Sequence, residues 1–130
     1  MSLSWAPGLE HWLALYTEAR PLGHWDPHED PGDAPWRRPI VIRSAPAPWG
    51  PWSEPLPLVH PAEAYGRWLT DPERDGVGPG GIGGWLYCPA AVDRFTRWDA
   101  ATGTATLCYL LSAGDPYHVH LMQVALRKPA

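Results

Sequence analysis

The chain has 130 residues, enough for one domain that buries roughly two-thirds of its unfolded surface without metal or disulfide staples. Ten Lys and Arg against 14 Asp and Glu leave a net charge of −4, and no basic run exceeds two residues, so a grip on phosphate backbone is disfavoured. Two cysteines are too few for a disulfide framework, and no apolar run reaches the roughly 18 residues of a membrane span, so the expectation is a reduced, cytoplasmic protein away from membranes.

Nine tryptophans stand among 17 prolines. The absence of Asn and the single lysine, Lys128, indicate GC-rich codons and a bacterial source, which explains the prolines better than the tryptophans. An indole buries roughly 200 Å² and carries one N–H that wants an acceptor, which suits cores, ligand walls and interfaces alike.

In chain order, Leu9, Trp12, Leu13 and Tyr16 fall at i, i+3, i+4 and i+7 and predict a helix over residues 7–20, stopped by Pro21. Residues 21–60 hold most of the prolines and one strand-like run, Ile40-Val41-Ile42-Arg43. Because Trp25, Trp36, Trp49 and Trp52 are interspersed, this segment is expected to be an ordered strap with tryptophan pegs, not a linker. A second helix is predicted over 61–70, with Pro61 in its first turn and Tyr65, Trp68 and Leu69 on one face. The glycine-rich loop 76–84 leads into a strand Trp85–Cys88 closed by Pro89, and residues 90–98 lean to a short helix. Finally, Thr104–Ser112 and Tyr117–Leu126 read as a β-hairpin. Pairing Ser112 with Tyr117 collects Ala105, Leu107, Tyr109, Leu111, His118, His120 and Met122 on one face, the expected core side.

Among the motifs, Gly76-Val-Gly-Pro-Gly-Gly81 matches Gly-x-Gly-x-x-Gly, but a helix precedes it and a strand follows. That order inverts the strand-then-helix context through which such glycines reach a pyrophosphate, so a plain loop is expected. His118-Val-His120 sets two imidazoles about 6.6 Å apart on one strand face, a spacing that suits two ligands of one metal. It is similar to the His-x-His of cupins, yet Met122–Ala130 contains no Asp or Glu to complete such a site. The pair is therefore read as a polar island in an apolar pocket wall. His24 and His28, with Asp26, Glu29, Asp30 and Asp33, could hold a divalent cation, although a solvated acidic loop accounts for them as well. Cys88 and Cys108 lack an evident base in the sequence and are expected to be buried structural thiols.

The expected architecture is a single α+β domain: an antiparallel sheet built around the C-terminal hairpin, with two or three short helices on one face. Its expected role is non-catalytic binding of another protein, as an adaptor, secretion chaperone, antitoxin or immunity protein, with Trp49 and Trp52 as the interaction surface. The alternative is a small-molecule or metal-binding enzyme whose pocket is lined by His118, His120, Tyr109 and Trp85. No cofactor and no nucleic acid are expected, and a homo-oligomer is left open.

Overall fold

The computed structural model describes residues 1–18, 38–71, 84–114 and 117–128, and strands dominate them. Where a helix is predicted over 7–20, the chain forms a hairpin of β1 (Ser2–Ala6) and β2 (His11–Thr17). Pro7 and Gly8 lie in its turn, closed by hydrogen bonds from the Leu9 N–H to the Ala6 carbonyl (3.0 Å) and from the Glu10 N–H to the Pro7 carbonyl (3.1 Å). The same residues satisfy two periods: Leu13 and Leu15 point into the core at strand spacing, while Trp12 turns outward against Trp5, ring centroids 5.6 Å apart. Gly8 is needed here for space, because a Cβ would stand 1.8 Å from the Trp98 ring.

The expected strand at Ile40–Arg43 forms and continues as β3 (Ile40–Ala45). It pairs with β2 on one side and with β4 (Leu56–Val59) on the other, giving an antiparallel sheet in the order β1-β2-β3-β4. Only part of the strap expectation can be compared, since Trp25 and Trp36 lie outside the described residues. Trp49 is not a peg: it is 84% exposed. Trp52 is half-buried and lies against Gly50.

The second predicted helix shrinks to one turn, α1 (Pro61–Ala64), capped by the His60 ring, whose Nδ1 accepts from the Ala62 N–H at 3.1 Å. It ends because Tyr65 adopts extended backbone and Gly66 a left-handed φ of 73°, after which the N–H groups of Arg67, Trp68 and Leu69 all donate to the Ala64 carbonyl. Residues 76–83 of the glycine loop lie outside the described residues, whereas Gly84 is described and donates to the Thr70 carbonyl at 3.0 Å.

The second sheet contains β5 (Trp85–Ala91), β6 (Arg97–Asp99), β7 (Thr104–Gly114) and β8 (His118–Arg127). Strand β8 runs along one edge of β7, so β5 and β6 share the other, end to end. Pro89 does not close β5. The strand passes through it at a bulge between Tyr87 and Ala90, where Cys88 takes a φ of 49° and a residue without an N–H is tolerated. The helix leaned to over 90–98 reduces to a 3-10 turn, Asp93–Phe95, whose Asp93 carboxylate accepts from the Ser4 hydroxyl of the first sheet.

The C-terminal hairpin forms with its register displaced by two residues, Ser112 opposite Val119 instead of Tyr117. A shift of two preserves every side chain's face, so Ala105, Leu107, Tyr109, Leu111, His120 and Met122 remain on the inner side. There Leu107, Tyr109 and Leu111 join Leu13, Leu15, Ile40 and Ile42 of the first sheet in one core. The fold is therefore mostly β, two antiparallel sheets sharing a core, and the α+β expectation fails because its helices are a hairpin, one turn and a 3-10 turn.

Candidate functional site

His118 and His120 lie on the inner face of β8, opposite Ala113 and Leu111 of β7. Their ring centroids are 5.9 Å apart, and the Trp68 ring packs on His120 at 4.3 Å with the planes tilted by 54°. Together with Gly66, Arg67 and Thr70 they line an open groove of about 460 Å³. The Nε2 of His120 is shut off from solvent and has no hydrogen-bond partner among the described residues, and the Trp68 ring is the nearest aromatic neighbour of the imidazole.

The other two residues expected in this pocket stand elsewhere. Tyr109 is on the same face but inside the core opposite Met122, and burial pushes its hydroxyl above the usual phenol range. Trp85 lies on the opposite face, its ring against Gly114, where a Cβ would approach to 2.3 Å. In their place Trp68 and Arg67 approach from the turn after α1. Nothing in the sequence brings that turn to β8, because the meeting depends on the packing of two sheets. No group of three or more His, Cys, Asp or Glu side chains suited to a metal occurs among the described residues, and His24 and His28 lie outside them.

The outer face of the second sheet is different in kind. Leu110 stands directly opposite Leu121, Ser112 opposite Val119, and Tyr87 and Trp85 continue the same face on β5. Leu121 is 61% and Val119 55% exposed, and Leu110, Trp85 and the adjacent Tyr117 are exposed as well. Desolvation first, and then its hydrogen-bonded neighbour Tyr117, raise the Tyr87 hydroxyl above the ordinary phenol range. Cys88 is exposed at the bulge beside Tyr87, contrary to the expectation of a buried thiol, whereas Cys108 is buried with its Sγ 3.5 Å from the Phe95 carbonyl. Trp49 and Trp52, the tryptophans expected to form an interaction surface, lie in the connection between β3 and β4, one bare and one half-covered. Among the described residues no helix is long and apolar enough to cross a membrane. Comparisons of the chain with protein-family models, with curated proteins and with solved structures give no match.

Proposed function

We propose that this chain is a non-catalytic protein-binding module working in the cytoplasm, of the adaptor, secretion-chaperone or antitoxin and immunity kind. The observation that supports this reading is the outer face of the second sheet, where Trp85, Leu110, Val119 and Leu121 are exposed side by side on three adjacent strands. Isolated exposed apolar residues are ordinary, but a contiguous set on one sheet face leaves apolar surface in water that a partner would cover. Tryptophan and tyrosine there offer broad contact with little side-chain entropy to lose, and Trp49, on the connection between β3 and β4, is a further exposed indole.

Affinity capture from a GC-rich bacterium with the wild-type chain and its Leu110→Lys variant as parallel baits tests the proposal. A protein retained by the first bait and lost from the second supports it. Equal recovery on both baits removes this face from consideration.

A second reading has its own observation. The groove between Trp68 and the His118–His120 pair combines a guanidinium, a hydroxyl and two imidazoles with an aromatic wall, a lining suited to a small polar ligand or a weakly held metal. Titration of Zn²⁺ against wild-type protein and His118→Ala, followed by calorimetry, tests the metal form of it: saturable heat lost in the variant supports it, and flat traces for both oppose it.

A further inference from the structure

Among the described residues the two sheets have several edges, and all but one are blunted. Strand β4 has four residues with Pro57 inside it and Pro55 just before it. Strand β6 has three residues, and β1 lies beside β5, whose Ala91 N–H donates to the Ser2 hydroxyl at 3.0 Å. Strand β8 is the exception. It is ten residues long, pairs with β7 through ten consecutive residue pairs without a bulge, and has no paired strand on its other side among the described residues. From His118 to Leu126 it contains no proline, no Asp, no Glu, no Lys and no Arg. Proteins that remain monomeric usually guard such an edge with charge, proline, a bulge or shortness, and β8 has none of these over nine residues.

We infer that the free edge of β8 pairs with β8 of a second copy, antiparallel about a two-fold axis, so that two C-terminal sheets join into one continuous sheet. This goes beyond the protein-binding reading and does not depend on it: the second copy occupies the edge of β8 and leaves the outer face of both copies uncovered. The chemistry of the strand favours its own copy for two reasons. An uncharged edge meets itself without like-charge repulsion at any point from His118 to Leu126. Its alternation is also self-complementary: directly opposed antiparallel residues share a face, so an axis through Met122 sets Leu121 beside Gln123 and Val119 beside Ala125 of the second copy. The exposed apolar faces of both copies then lie on the same side and form one surface. Closed two-fold pairing of this kind ends at the dimer, because among the described residues each copy has a single unguarded edge to offer.

The test is light scattering coupled to size-exclusion chromatography over a wide concentration range, with Leu121→Lys, Gln123→Lys and Leu110→Lys beside the wild type. All three positions are exposed on the outer face, and a melting curve by circular dichroism establishes that each variant is folded. The expected result is a mass of two chains for the wild type and for Leu110→Lys, which lies inside the sheet on β7, and a mass of one chain for Leu121→Lys. Gln123→Lys is the milder second variant, expected to raise the dimer dissociation constant at least tenfold should Leu121→Lys fail to fold. A wild type that remains a single chain at every concentration overturns the inference, as does a Leu121→Lys variant that is folded and still dimeric. The capture experiment separates the two failures: a monomeric wild type that retains a foreign protein through Leu110 leaves the protein-binding reading standing and removes the second copy.

Discussion

The two middle strands of the first sheet are closed on both faces, whereas the second sheet displays one of its faces. In β2 and β3 even positions on the outward side are closed off, since Ala14, Val41 and Ala45 alternate with the core-facing residues and are nevertheless buried, and the exposed apolar residues of that side, Leu3 and Trp5, lie on β1. In β5–β8 the outward side carries leucine, valine and tryptophan in the open, and among the described residues no strand pairs with the outer edge of its last strand. Both sheets contribute to one core, so the difference does not separate a stable half from an unstable one. It shows that equal hydrophobicity can be used for folding in one sheet and left for contact in the other.

The largest expected effects probe the shared core. Leu15→Ala in β2 and Leu107→Ala in β7 each remove a fully buried side chain and are expected to cost about 2–5 kcal/mol. If the sheets are one cooperative unit, denaturant unfolding of either variant shows a single transition, coincident by tryptophan fluorescence and circular dichroism. Two transitions would divide the molecule between its sheets.

Gly8→Ala sharpens the comparison at a place where the sheets touch. The new methyl collides with the Trp98 indole, so a loss of about 1–3 kcal/mol and a red-shifted tryptophan emission are expected as the ring is displaced. An unchanged spectrum and melting point would mean that Gly8 and Trp98 are not in contact. His120→Ala is expected to cost about 1–3 kcal/mol through lost packing against Trp68, measured in urea.

A smaller effect appears at high pH. Burial raises the Tyr109 hydroxyl above its ordinary value of 10.0, so the unfolded chain releases this proton at lower pH than the folded one does. The contribution is complete below about pH 10 and is lost as pH rises from there through the folded-state value, so stability falls with increasing alkalinity. Tyr109→Phe is expected to flatten part of that fall. The raised hydroxyls of Tyr16 and Tyr87 account for a remainder, and an identical slope in wild type and variant would contradict the assignment.

Smallest of all, Leu121→Lys on the outer face is expected to change the stability of the single chain, measured at dilution where the wild type is monomeric, by less than about 0.5 kcal/mol, since its side chain stands in water there. A loss comparable to that of Leu107→Ala would show that this face is covered within the molecule, and the contrast between the sheets would disappear.

The C-terminal hairpin was legible in the residues themselves. Alternation from Thr104 to Leu126, interrupted by Ala-Gly-Asp-Pro, admits one local solution, and its inner and outer faces survive a register displaced by two because side chains repeat every two residues. Ile40–Arg43 was legible for the same reason. The helix predicted over 7–20 was not, because Leu9, Trp12, Leu13 and Tyr16 obey the helical period while Leu13 and Leu15 obey the strand period. Intrinsic preferences of a few tenths of a kcal/mol per residue do not separate the two. The choice falls to the partner strand: β3 offers Ile42 to Leu15 and Ile40 to Thr17, and the hairpin buries Ala6, Leu13 and Leu15 together against the second sheet.

What the sequence alone determined is therefore local: a β-rich C-terminal third, a histidine pair on the core-facing side of its last strand, and more indole than one core needs. Tertiary structure decided which groups meet. It removed Tyr109 into the core, turned Trp85 to the far face and brought Trp68 onto His120, and among the described residues it left one edge of β8 without a paired strand. The physical reason is that periodicity assigns a residue to a side of its own element, whereas company and exposure depend on how whole sheets are ordered and stacked, and that information is spread over contacts between residues far apart in the chain.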